Sequence, residues 1–98
     1  MTKPAPKFDP TVTLRYPDSD LLPGVTKLTL RKPRAKDVGL ASRNGDSSGD
    51  IEINLFASLC EVDVSIIENL EMFDYVALQK KYGEMEAGKH APAGETSS

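Results

Sequence analysis

Hydrophobic and polar residues alternate in two short stretches near the start of the chain, TVTLRY at 11–16 and TKLTLRK at 26–32. A period of two, with threonine, valine and tyrosine enriched, is typical of β-strands. The segment between them, PDSDLLPG, supplies the proline, aspartate and glycine that favour turns. The pattern therefore predicts an antiparallel hairpin with one apolar face. The residues expected on that face are Val12, Leu14, Leu28 and Leu30.

A short helix is predicted after the second strand. Pro33 ends the strand because proline cannot donate a hydrogen bond to a neighbouring strand. The following segment, RAKDVGLASR, places Asp37 in the first turn, where a carboxylate suits a helix N-terminus. Gly39 lowers helix stability by about 1 kcal/mol relative to alanine, so we expect few turns. The composition of NGDSSGD, residues 44–50, then indicates a loop.

Apolar residues recur at helical spacing through most of the remaining chain. A continuous stripe covers one side of residues 51–60, and Asp50 is the predicted N-cap. Asp63 is predicted to cap a further helical stretch, with a bend between Leu70 and Met72, where Glu71 or Asp74 can restart the helix. Gly83 is the predicted C-cap.

These elements predict an α+β fold in which an N-terminal antiparallel β-hairpin is followed by three or four short helices. We expect residues 11–82 to form one small domain. Residues 1–10 and 83–98 lack an apolar period and are predicted to be a disordered arm and a disordered tail. A domain of roughly 70 residues is only marginally stabilised by its own core. Self-association or a bound partner protein would therefore add stability.

The charges divide unevenly along a chain whose net charge is −3. Residues 1–43 carry nine Lys and Arg against four Asp and Glu, a net of +5, and residues 44–98 carry three against eleven, a net of −8. Four cations cluster between residues 31 and 36, as a nucleic-acid contact would require. However, the helix that follows offers small and apolar side chains that read no base. We interpret the cluster as a joint between strand and helix. Its members are Arg31, Lys32, Arg34 and Lys36.

Catalytic chemistry finds little support in the sequence. His90 is the only histidine and lies in the predicted tail, while Cys60, the only cysteine, lies on an apolar helical face. Neither a metal site nor a phosphate-binding glycine loop is indicated, so we expect no cofactor and no small-molecule substrate. No apolar run approaches the roughly 18 residues that span a membrane, and a single cysteine fits a reducing cytoplasm.

An interaction protein is the remaining interpretation. The apolar faces of the helices are larger than the core of a domain of about 70 residues requires. Bulky, adaptable side chains on such faces suit the binding of another helix or strand. The predicted partner-binding residues are Leu55, Phe56, Leu59, Met72, Phe73, Tyr75 and Val76.

Two stretches, VTKLTLRKPRAKDVGLA and GDIEINLFASLCEVDVSIIENLEMFDYVALQ, resemble the tail assembly chaperones of contractile-tailed, Mu-like bacteriophages. That family combines a strand ending in LTLR-P, a helix opening with small residues and an aspartate, an L-A-L helix, and a segment around a leucine and an aspartate. Arg34 stands where the family more often has a small hydroxyl residue. The matching positions are Leu28, Leu30, Arg31, Pro33, Asp37, Leu55, Ala57, Leu59, Leu70 and Asp74.

The resemblance implies a protein that binds the phage tape-measure protein and keeps it soluble until the tail tube forms. It implies action in the bacterial cytoplasm, without nucleotide or chemistry, and absence from the mature virion. Two alternatives stay open: a small DNA-associated regulator that uses the basic residues at 31–36, and a structural component of the tail.

Overall fold

The computed structural model describes residues 8–90, with side chains described for residues 8–87. It contains a two-stranded antiparallel sheet followed by four helices, which confirms the predicted α+β class. The predictions for residues 1–7 and 91–98 lie outside the described residues. The elements are β1 (Thr11–Thr13), β2 (Lys27–Thr29), α1 (Ala35–Asn44), α2 (Ser48–Cys60), α3 (Val64–Glu68) and α4 (Met72–His90).

The hairpin pairs in the register that its alternation predicts, with Val12 opposite Leu28. Backbone bonds extend the pairing beyond the strands, since Leu14 donates to the Thr26 carbonyl at 2.9 Å. The four residues of the predicted apolar face are all buried, as expected. A two-stranded hairpin is marginal alone in water, and here α2 and α4 cover its apolar side.

The centre of the core is α2, whose Phe56 and Leu59 are 1% and 0% exposed. The ring of Phe56 lies between Tyr75 and Tyr82 of α4, with ring centroids 5.9 and 5.5 Å away. Helix α1 packs on α2, and α4 packs on β1. Helix α4 and strand β1 therefore enclose the same core.

The start of α2 differs from the prediction. Ser47, not Asp50, is the N-cap, and its side-chain oxygen accepts the backbone N–H of Asp50 at 3.1 Å. Serine and aspartate are equally good N-caps. With Ser47 as the cap, Asp50 lies in the first turn, where its negative charge interacts favourably with the helix dipole. The predicted cap Asp63 is confirmed, since it accepts the N–H of Ser65 at 3.0 Å.

The predicted bend near Leu70 is confirmed as a break between α3 and α4. Helix α3 ends at Glu68, and α4 begins at Met72. The carboxylate of Glu71 accepts the N–H of Phe73 at 2.8 Å, which satisfies one of the free donors of the new helix.

The helix end predicted at Gly83 is wrong, because α4 continues through this glycine to His90. Met85, two residues beyond, is 6% exposed and belongs to the core. Burying its side chain contributes roughly 1.5–3 kcal/mol, which outweighs the cost of about 1 kcal/mol for glycine in a helix. Ordered structure therefore continues past the predicted domain end at residue 82.

Candidate partner-binding site

Helix α4 leaves a row of large apolar side chains uncovered. Met72 is 64% exposed, Phe73 51% and Val76 44%. With Ala77 and Lys80 they line one shallow groove, and this set of five residues is called the α4 outer face. Their spacing covers two helical turns, so the face is about 12 Å long.

The opposite side of α4 faces the core. Asp74, Leu78 and Met85 are separated by four and by seven residues, and all three are buried. The helical period therefore divides α4 into a covered side and an uncovered side.

Two residues that follow β1 contact the α4 outer face. The ring of Tyr16 meets that of Phe73 edge to face, with centroids 5.8 Å apart. The guanidinium of Arg15 lies 5.0 Å from the centroid of the same ring. Such cation–π and edge-to-face contacts hold both side chains beside Phe73.

The buried carboxylate of Asp74 fixes this arrangement. It accepts the backbone N–H groups of Arg15 at 2.8 Å and of Tyr16 at 2.9 Å, and its residue is only 1% exposed. Sequence reasoning assigned Asp74 no role in the site. The sequence does contain one sign of this role, because Asp74 is charged at a position where the helical period predicts an apolar residue.

The predicted partner-binding residues fall into three groups. Met72, Phe73 and Val76 lie together on the α4 outer face. Phe56 and Leu59 are buried in the core. The structure therefore does not bring the seven residues into one surface.

The other two predicted residues, Leu55 and Tyr75, are half-buried and pack against the core. The Tyr75 hydroxyl donates to the carboxylate of Glu52. Burial, with this hydrogen bond, raises the pKa of Tyr75 above its usual value. A hydroxyl with a partner inside its own domain is less available to a second protein.

The basic segment at residues 31–36 is built around one ion pair. Arg31 binds Asp37 through two hydrogen bonds, while Arg34 donates its backbone N–H to the same carboxylate at 2.8 Å. The Arg31 guanidinium and the Arg34 N–H hold the pKa of Asp37 far below its ordinary value. Lys32 and Lys36 are exposed, as is the Arg34 side chain. Arg31 therefore joins β2 to α1. No observation favours the DNA-associated alternative.

The Cys60 thiol is not activated as a nucleophile. Burial raises the pKa of the Cys60 thiol to about 12, which keeps it protonated near neutral pH. Within the described residues, no three His, Cys, Asp or Glu side chains lie together as metal ligands. None of the helices described is long and apolar enough to cross a bilayer.

Comparison with known proteins identifies one family. The family model described as "Phage tail assembly chaperone proteins, E, or 41 or 14" matches residues 11–86. No curated protein and no solved structure matches the chain. Because the family match begins at β1 and extends into α4, past the buried Met85, it covers the hairpin, the core and the α4 outer face. The chain belongs to the phage tail assembly chaperone family.

Proposed function

We propose that this tail assembly chaperone binds the phage tape-measure protein through the α4 outer face. The observation that carries the proposal is the exposure of Met72, Phe73 and Val76 in one groove. Apolar side chains of this size, adjacent on a helix, are typical of a surface that receives another helix.

The physical role follows from mass action. A long helical chain with an apolar face aggregates when that face meets water, and a protein that binds the exposed form lowers the free concentration available for aggregation. Membership of the chaperone family implies a non-enzymatic role in the infected cell. In our proposal the chaperone works in the cytoplasm, needs no nucleotide or cofactor, and leaves before the virion is complete.

Co-expression with the tape-measure protein from the same phage tests this proposal. We expect the wild-type chain to keep the tape-measure protein in the soluble fraction. Val76→Glu should return that protein to the pellet, because a charge in the groove disfavours apolar contact.

Val38→Glu is the matched control. Val38 is 48% exposed on α1, against 44% for Val76, and it lies outside the α4 outer face. This variant should preserve solubility. If the wild-type chain leaves the tape-measure protein insoluble, or if both variants behave alike, the proposal is overturned.

A further inference from the structure

We infer, on the basis of the proposed function, that the loop between β1 and β2 completes the docking surface. We infer also that this surface selects an amphipathic helix whose apolar stripe is flanked by acidic side chains. The inference rests on Tyr16, Leu21, Arg15 and Lys80.

The apolar surface continues from α4 onto the loop. Tyr16 is 48% exposed and Leu21 is 52% exposed, and both line one depression beside the break between α3 and α4. Tyr16 also contacts Phe73, so its ring connects this depression to the α4 outer face. The two together are called the extended surface.

Size favours the extended surface over the helix alone. A stable protein–protein interface covers about 800 Å² on each partner, and two turns of one helix supply only a fraction of that area. Adding the depression around Tyr16 and Leu21 gives a docked helix contacts on both sides of Phe73.

The loop is held in place before any partner arrives. The carboxylate of Asp18 accepts the N–H groups of Asp20 and Leu21 at 2.8 and 3.0 Å. The next residue, Leu22, is 1% exposed and anchors the loop in the core. Since Asp74 fixes the first end of the loop, docking requires little further ordering of the backbone.

The cations beside the α4 outer face favour an acidic partner there. Arg15 and Lys80 form no salt bridge with any residue in the described range, and both lie beside the apolar row. Two anions, Asp18 and Glu71, line the depression, and neither lines the α4 outer face. The cations therefore remain available to carboxylates at the rim of a docked helix.

Two designed peptides probe this selectivity by fluorescence anisotropy with the full chain. Both are amphipathic helices with the same leucine stripe, flanked by glutamates in one and by lysines in the other. At low salt we expect the glutamate peptide to bind roughly tenfold more tightly, because the extended surface attracts one set of rim charges and repels the other. The difference should shrink as salt is added.

Charge reversal supplies the decisive comparison. Arg15→Glu with Lys80→Glu should invert the preference between the two peptides. The neutral pair Arg15→Gln and Lys80→Gln, which adds no negative charge beside Asp74, should abolish it. Lys32→Glu with Arg43→Glu changes one lysine and one arginine that are both exposed and do not line the extended surface, and should leave the wild-type preference unchanged.

The loop is tested separately with Leu21→Asn, which removes the apolar side chain without adding a charge. This variant should weaken binding of both peptides several-fold, because Leu21 lies in the depression that a docked helix covers. Unchanged binding would overturn the part of the inference that concerns the loop.

Other outcomes overturn the inference as a whole. Equal affinity for both peptides would show that Arg15 and Lys80 select nothing. A wild-type dimer that Val76→Glu converts to monomer, with neither peptide bound, would identify a second copy as the occupant. If the tape-measure protein is kept soluble but the peptides show no preference, this inference fails while the proposed function stands. If the peptides show the expected preference but the tape-measure protein stays insoluble, the proposed function fails while the charge preference of the surface stands.

Discussion

The carboxylate of Asp37 accepts two hydrogen bonds from the guanidinium of Arg31, at 2.8 and 2.9 Å. The aspartate residue is 4% exposed, whereas the arginine side chain is 36% exposed. Arg31 also donates its backbone N–H to the Leu59 carbonyl at 3.0 Å. This pair therefore joins β2, α1 and the end of α2.

The Arg31–Asp37 pair makes stability depend on pH. The pKa of Asp37 in the folded chain lies well below its ordinary value of 3.8, so in acid the unfolded chain binds a proton more readily. The contribution of ionised Asp37 to the free energy of unfolding is complete above about pH 5 and declines as the pH falls through 4 and below. Urea denaturation from pH 7 to pH 3 should show that Asp37→Asn is less stable than wild type, with a gap that narrows in acid.

Glu61→Gln is the control for that measurement. Glu61 lies 3.4 Å from the Arg31 Nε, but its side chain is 75% exposed. An exposed pair of this kind contributes little, so the variant should follow the wild type at every pH. A gap for Asp37→Asn that is independent of pH would contradict the assignment.

Asp74→Ala should destabilise the domain strongly. The variant removes the acceptor of two backbone N–H groups, at Arg15 and Tyr16, from a buried position. Hydrogen bonds to charged groups contribute about 1.5–3 kcal/mol each, so losing two should lower the free energy of unfolding by roughly 3–6 kcal/mol. Urea denaturation at pH 7 measures it.

Asp18→Ala is matched to Asp74→Ala because it also removes an acceptor of two N–H groups, here in an exposed loop. Water can replace this acceptor, so we expect a loss of no more than about 1 kcal/mol. Equal losses for the two variants would show that burial of Asp74 has no energetic role.

Two glycine substitutions should have opposite effects. A Cβ at Gly83 would meet no atom within 4 Å. Gly83→Ala should therefore raise the free energy of unfolding by about 0.5–1 kcal/mol, because alanine inside a helix loses less backbone entropy on folding than glycine. A Cβ at Gly45 would lie 2.8 Å from the backbone nitrogen of Ile51, so Gly45→Ala should cost roughly 1–3 kcal/mol. Thermal unfolding of the two variants distinguishes them, and a shift of the same sign in both would contradict the geometry.

Met85→Ala should lower the free energy of unfolding by about 2–4 kcal/mol, because it creates a cavity beside the core. Chemical denaturation measures this loss. Glu84→Ala changes the exposed neighbour and should stay within about 0.5 kcal/mol of wild type. A Met85→Ala variant as stable as Glu84→Ala would mean that this part of α4 does not pack.

The sequence predicts those parts of the fold in which burial repeats with a regular period. The hairpin's alternation places Val12 and Leu28 correctly, and the α2 stripe places Leu59 in the core. The end of α4 could not be predicted this way. Gly83 predicts a helix end, because glycine lowers helix stability. The burial of Met85 stabilises the helix by more than that cost, and the local sequence does not show that Met85 is buried.

The candidate site is predictable only in part, for a related reason. An apolar residue looks the same in the sequence whether it fills the core, as Phe56 does, or faces solvent, as Met72 does. Leu21 gave no signal because the loop that carries it has no period. Tyr16 ends the alternating stretch at 11–16, and that alternation does not show that its ring contacts Phe73. Their position depends on Asp74 and Asp18, which act through backbone groups far away in the sequence or within an irregular turn.

The contact between β1 and α4 has a consequence for the timing of synthesis. Residues just after β1 stay without their acceptor until Asp74, 59 positions after Arg15, has been translated. Because Arg15 and Tyr16 depend on Asp74, the docking surface that we propose forms only after α4 has been synthesised.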